Sequence, residues 1–220
     1  HGLFIVAGER RQGKTSLLQE IVYNEQMSKL SLVGVHSIVQ SQDWGNIESV
    51  VQLGHETIEF DSNHALYEGI ERIIVDTNSV KNWTKWIEMA EQGQSVLVSL
   101  SINSVRTTFN KFVSDLDLKT CLRLFNVLNG IAVQKLVGAN YQPCSEIFIA
   151  KQMHKDQLRK HLIDNSFFKV NFVDDFKDSY QSLNQSIVQK LIRRKIDVQA
   201  AFESSDDPEA LDQILKRMGL

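Results

Sequence analysis

Eight residues near the start of the chain, Gly8-Glu9-Arg10-Arg11-Gln12-Gly13-Lys14-Thr15, have the types and the spacing to hold a phosphate group. They satisfy G-x-x-x-x-G-K-[ST], in which two glycines let the backbone curl so that its N–H groups converge on phosphate oxygens. Lys14 would neutralise the β- and γ-phosphates of ATP or ADP, the Thr15 hydroxyl would ligate Mg²⁺, and Ser16 completes the candidate nucleotide-binding set. The interior Glu9-Arg10-Arg11-Gln12 stands where such loops often carry further glycines. Two guanidinium groups beside a triphosphate would either add affinity or fold into the site and occupy it. Two acids lie near strand ends, where open α/β sheets place chemistry: Asp43, after the polar group Gln40-Ser41-Gln42, and Asp76, which closes Arg72-Ile73-Ile74-Val75. Asp76 is also the second metal candidate beside Thr15, and the alternative for it is a cap on the next helix.

These residues need elements to position them. Leu3-Phe4-Ile5-Val6-Ala7 before the loop has the length and apolarity of a buried strand, and Ser16 to Tyr23 after it places apolar residues at helical spacing. Strand, glycine turn and helix are the context in which the motif has physical meaning. Leu32 to Val39, Arg72 to Asp76 and Ser95 to Leu100 read as further buried strands, and a helix through Trp83, Trp86, Ile87 and Met89-Ala90 separates the last two. Strands separated by helices predict a parallel α/β sheet. Between Trp44 and Asn63 the pattern is mixed: Ile47 to Leu53 reads as helical, and Glu56 to Phe60 alternates like a short strand. Val105 to Leu128 is expected as one long helical segment, followed by strands at Ile131–Val137 and Cys144–Ala150 that would form an edge hairpin about Tyr141-Gln142-Pro143. From Met153 onward the pattern is helical, with helices expected at Gln157–Ile163, Ser182–Arg193, Asp197–Phe202 and Asp207–Lys216. Ser205-Asp206-Asp207-Pro208 is a strong helix start.

At 220 residues the chain is long enough for one ample core, or for a domain with a small appendage. A net charge of −3 gives no general pull toward nucleic acid, so no nucleic-acid partner is expected. Arg193-Arg194-Lys195 reads as a solvated helix end. Cys121 and Cys144 lack metal-ligand spacing and are expected as reduced thiols in a cytosolic compartment. No apolar run is long enough to span a bilayer. The chain begins at His1, one residue before a buried strand pattern, which reads as an excised domain or a short member of its family.

With the loop, the acid-tipped strand and the helical tail in view, the chain resembles the hexameric secretion ATPases, in the pilus-retraction (PilT-like) branch beside the type II secretion (GspE-like) branch. The resemblance rests on Gln181 to Ile196, on Ala200-Ala201, on Ser204 to Leu211, on Ala90-Glu91-Gln92-Gly93, on Gln134 with Leu136, and on Glu146-Ile147. It implies a RecA-like P-loop NTPase core with a predominantly parallel sheet over residues 1–152 and a helical carboxyl-terminal extension over 153–220. The family's amino-terminal domain, which supplies arginines to a neighbouring subunit's nucleotide, is expected to be missing. The family's hexamers rely on that domain, so a monomer or dimer is expected here.

The departures from the family shape the functional expectation. Where its members carry an acidic box whose glutamate prepares the attacking water, this chain reads Gln40-Ser41-Gln42 with Asp43 beside it, and a neutral amide cannot act as a general base. The second nucleotide strand ends in Asp76-Thr77 where the family has Gly-Glu, and family histidines are replaced by Gln94 and Ser101. The resemblance therefore implies a degenerate motor ATPase that binds ATP or ADP with Mg²⁺ and turns it over weakly or not at all. Its role would be regulatory or structural, at a pilus or secretion motor or its inner-membrane platform. It would be cytoplasmic, with peripheral contact at the inner membrane and self-association as further expectations. The alternatives are an active ATPase using Asp43 or Asp76, and an interaction module with an empty nucleotide pocket.

Overall fold

The computed structural model describes residues 1–27, 33–37, 50–54, 69–76 and 83–219. Among the described residues, eight strands form one sheet in the order β3-β2-β4-β5-β1-β6-β7-β8. They are β1 (Gly2–Ala7), β2 (Val33–Ser37), β3 (Val50–Gly54), β4 (Arg72–Asp76), β5 (Ser95–Leu100), β6 (Leu128–Val137), β7 (Gln142–Ile149) and β8 (Tyr180–Gln181). From β3 to β6 every neighbouring pair is parallel, whereas β6–β7 and β7–β8 are antiparallel. The parallel strands have apolar runs because both faces of the sheet are covered. Along β1, Leu3, Ile5 and Ala7 enter the larger core while Phe4 and Val6 pack with Leu18, Ile74 and Leu97 on the other face.

The second face is covered by α1 (Lys14–Met27), through Leu17, Leu18 and Ile21. The larger core lies under α2 (Trp83–Glu91), α3 (Val105–Asp115), α4 (Leu118–Val127) and α5 (Gln152–Ile163). At its centre Phe109 is fully buried and touches Phe112, Phe125, Phe148, Phe167 and Phe172 at ring-centroid distances of 5.3–6.3 Å. Phe167 opens a single 3₁₀ turn, and Phe172 opens the short helix α6 (Phe172–Asp175). A separate cluster, built from Val137, Cys144, Leu183, Ile187, Ile196, Leu211 and Leu215, holds the tail helices α7 (Leu183–Ile192), α8 (Val198–Ser204) and α9 (Pro208–Met218) against the hairpin.

Most expected elements form, and the exceptions have local causes. Val50–Gly54, within the segment read as helical, is instead an extended strand paired in parallel with β2, because the sheet edge offers its backbone a ladder of partners. The expected strand at Glu56–Phe60 lies outside the described residues. The expected single helix over Val105–Leu128 is two. Leu116 turns extended at ψ 145°, and Asp117 then caps α4 by accepting from the Thr120 N–H at 3.0 Å, just as Ser104 caps α3 through the Thr107 N–H at 3.1 Å. In the tail, Ser182 and Gln185 close a reciprocal capping box, and Asp207 with Pro208 starts α9. Helix α5 begins at Gln152, earlier than its apolar pattern indicates. Among the described residues no helix is long and apolar enough to cross a membrane.

Candidate nucleotide site

Because β4, β5, β1 and β6 run in one direction, their carboxyl ends open on one edge of the sheet, where open α/β sheets build sites. The loop Gly8–Gly13 leaves β1 at that edge and delivers Lys14 and Thr15 to the first turn of α1. The helix start supplies unpaired N–H groups and a partial positive charge for an anion.

Two glycines permit this path. Gly13 has φ +77°, and a Cβ there would lie 2.6 Å from Nε2 of Gln134. At Gly8 a Cβ would meet the Gln134 carbonyl oxygen at 2.6 Å. Both close approaches occur because β6 extends past the end of β1 and backs the loop. Gln134, 7 % exposed, donates through Nε2 to the Gln12 carbonyl at 2.7 Å, and the Gln12 side-chain oxygen accepts from the Leu136 N–H at 2.6 Å. The Gly8 N–H donates to the Leu100 carbonyl at 3.2 Å, which ties the other side of the loop to β5.

The Lys14 ammonium donates to the carbonyls of Gly8 (2.9 Å) and Glu9 (2.8 Å). Burial lowers its pKa; the Asp76 carboxylate opposes that shift, and the Arg10 charge adds to it. A half-desolvated cation held by neutral carbonyls gains from the approach of an anion. The Thr15 hydroxyl donates to Oδ2 of Asp76 at 2.7 Å, and the Ser99 hydroxyl donates to Oδ1 at 2.6 Å. Asp76 is thus brought to the loop across β5, by the register that sets the end of β4 beside Ser99. The donor set suits a phosphate and Mg²⁺: a lysine and helix amides for the anion, and a hydroxyl with an adjacent carboxylate for a hard cation. Asp76 caps no helix among the described residues; its side chain turns to the loop instead.

Glu9, Arg10, Arg11 and Ser16 are exposed, and the Arg10 charge acts on the Lys14 ammonium. Arg11 sits at φ +63°, a left-handed conformation that disfavours any residue with a Cβ. Asp43, with Gln40, Ser41, Gln42 and Thr77, lies outside the described residues. The two positions noted for replaced histidines separate in space. Ser101 follows β5 at the loop's edge, whereas Gln94 precedes β5 and donates to the Ile70 carbonyl at 2.9 Å, at the opposite edge of the sheet.

The roles of two site residues are not evident from the sequence. Ser99 is a buried hydroxyl inside an apolar strand, which is a weak signal of a polar partner nearby. Gln134 contributes to the family resemblance but carries no local signal of its contact, because its partner is Gln12 and only the fold brings them together. Glu146 on β7, 8 % exposed, accepts from the Val105 N–H at 2.8 Å and from the Tyr180 hydroxyl at 2.5 Å, joining the start of α3 to β8. Burial raises its pKa, and both hydrogen bonds oppose the rise. Cys121 and Cys144 are free and buried; burial pushes the Cys121 thiol up to about 12.

No protein-family model and no curated protein matches the sequence. Solved structures do match the fold. The Legionella pneumophila ATPase DotB superposes with a TM-score of 0.75 at 16 % identity, covering 91 % of this chain and 58 % of its own. The pilus retraction motor PilT with bound ADP gives 0.72 at 18 % identity, covering 96 % of this chain and 63 % of its own. The VirB11 ATPase of the Brucella suis type IV secretion system, in complex with sulphate, gives 0.51 at 15 % identity, covering 74 % of this chain and 51 % of its own. The chain spans less than two thirds of the length of each. With a mostly parallel sheet, a phosphate-type loop at its carboxyl edge and a helical tail, the chain has the RecA-like α/β fold of the secretion and pilus-retraction ATPases.

Proposed function

We propose that this chain is a degenerate member of the PilT-like motor ATPases, which binds ATP or ADP with Mg²⁺ at Gly8–Ser16 and hydrolyses it weakly or not at all. One observation supports the reading: Gly8 and Gly13 bend the loop closely against Gln134 at the start of α1, and Asp76, a carboxylate at that loop, accepts a hydroxyl hydrogen bond on each oxygen. That arrangement suits a carboxylate that orders a metal's water shell, and weak turnover rests on the neutral amides Gln40 and Gln42 standing where the family's acidic box has its glutamate.

In this reading the bound nucleotide supplies the phosphates and the cation completes their neutralisation. The chain's own part is to hold them. The backbone N–H groups of the loop and of the first turn of α1 bind phosphate oxygens. Lys14, which donates to the Gly8 and Glu9 carbonyls, would hold phosphate oxygen, and Thr15 with Asp76 would hold the metal, Asp76 through its water shell. The exposed Arg10 and Arg11 add positive potential at the mouth of the loop. A regulatory or structural role follows, in contact with an authentic pilus or secretion motor or its inner-membrane platform, or with further copies of the chain. The proposed division is a nucleotide-binding unit over 1–152 and a helical extension over 153–220. The proposed location is cytoplasmic, peripheral at the inner membrane.

Calorimetric titration with ATP and with ADP, each with and without Mg²⁺, followed by phosphate release on the same sample, tests the proposal. Binding without release is the expected result, and Lys14→Ala is expected to abolish it. Release that disappears in Asp43→Ala or Asp76→Ala would make the chain an active ATPase. No binding at all would make it an interaction module with an empty pocket.

A further inference from the structure

Strand β6 touches the phosphate loop with one side chain and the tail with the next. Gln134 faces the loop, with its amide on the Gln12 carbonyl and against Gly13. Successive side chains of a strand point to opposite faces, and Lys135 accordingly reaches away to the tail. Its ammonium donates to the Ser204 carbonyl at 2.7 Å and to Oδ1 of Asp206 at 2.9 Å, at the junction of α8 and α9. That junction is fixed in turn to α7: the Asn184 amide donates to the Asp207 carbonyl at 2.8 Å, and the Ser205 hydroxyl donates to Oδ1 of Asn184 at 2.7 Å. Just past β6, Gly138 lies against Ile196 and Ala200, and Val137 enters the tail cluster. The segment that backs the loop, residues 134–137, extends beyond the last register partner of β1; β7 pairs with it along one edge, and the loop takes the place of β1 on the other while the tail packs on one face.

We propose that Gln134 and Lys135 are positioning residues through which docking of the α8–α9 junction sets the shape of the phosphate loop. Undocking the junction removes the tail's hold on the end of β6, which β7 then holds without it, and the Gln12 clamp loosens. By thermodynamic linkage, a partner that lifts the junction weakens the grip on nucleotide, and nucleotide binding holds the junction down. The functional half of this inference rests on the phosphate-loop reading, while the coupling itself does not.

The test separates the two. Hydrogen exchange of the nucleotide-free full chain is read on the backbone amides of Glu9 to Thr15, in the parent and in Lys135→Met, which keeps the aliphatic stem and removes both tail bonds. Loop exchange is expected to rise about fivefold, the equivalent of one lost hydrogen bond. Gln134→Leu should give a rise of the same order, and Lys135→Arg should restore the parent rate. Lys216→Ala, which breaks an exposed pair with Asp212 elsewhere on the tail, should leave the loop unchanged. Unchanged loop exchange in a folded Lys135→Met chain overturns the coupling. If that variant does not fold, Asp206→Ala at the exposed end of the same contact decides in its place by the same criterion. ATP titration of the parent is scored separately: failure to bind refutes the nucleotide reading and leaves the exchange result to decide the coupling.

Discussion

Replacing Asp76 by asparagine separates its two duties at the loop. An asparagine keeps the shape and offers one oxygen and one NH₂, so the Thr15 and Ser99 hydroxyls can each retain a partner, one by donating and one by accepting. Stability should therefore change by no more than about 1 kcal/mol. Alanine instead removes the acceptor from both hydroxyls, and each hydrogen bond to a carboxylate is worth about 1.5–3 kcal/mol, so Asp76→Ala should lose several-fold more than Asp76→Asn. The metal response should not follow stability. Either substitution removes the negative charge beside Thr15, and loss of an outer-shell carboxylate costs about 10–100-fold in metal affinity. Denaturant unfolding without metal gives the first quantity, and calorimetric titration of ATP across a Mg²⁺ series gives the second. The expected result for Asp76→Asn is near-parent stability, near-parent affinity without metal, and a Mg²⁺-dependent component weaker by about 10–100-fold. An equal loss of affinity with and without Mg²⁺, or no loss in either, would refute the assignment of Asp76 to the metal.

Glu146 gives a pH prediction. Its folded pKa is raised by burial above the ordinary value of 4.5, so its contribution to stability is full below that value and is lost as pH rises through the folded pKa. Glu146→Gln keeps an acceptor for the Val105 N–H and a partner for Tyr180, and should flatten the stability profile above pH 4.5; an unchanged profile would refute the role. Phe109→Ala should cost about 3–5 kcal/mol by denaturant unfolding, because it empties the centre of the aromatic cluster; a loss below about 1 kcal/mol would mean the cluster collapses around the gap. Cys121 should resist alkylation at about pH 8 in the native state and react in denaturant, and rapid native labelling would contradict its burial.

The strand, loop and helix around Gly8–Thr15 are legible because their signal is contiguous: Gly8, Gly13, Lys14 and Thr15 lie within eight residues, between a strand and a helix whose periods are clear. The parallel strands were legible for a related reason, since burial on both faces leaves uninterrupted apolar runs at Leu3–Ala7 and Ser95–Leu100. What was missed depends on distance along the chain or on a short stop signal. The Gln12–Gln134 clamp joins residues that only the sheet makes neighbours. The break between α3 and α4 turns on Asp117 and Thr120, a cap signal concealed within a continuous helical apolar pattern. Val50–Gly54 carries mixed periodicity, and its state is decided by the neighbouring strand. The two-residue strand β8 is too short to leave a pattern.

The aromatic cluster has a consequence for how the chain is made. Phe109 and Phe125 come from helices near the middle of the sequence, Phe148 from the hairpin, and Phe167, Phe172 and Phe176 from a stretch beyond α5. During synthesis from the amino terminus, the phosphate loop and its strands emerge well before that last stretch. Until Phe176 has left the ribosome, the cluster lacks Phe167, Phe172 and Phe176 in place, and Phe109 and Phe148 lie open on that side to water and to other chains. The nascent chain is therefore exposed to aggregation after its phosphate loop has already appeared and before Phe167, Phe172 and Phe176 close the aromatic cluster.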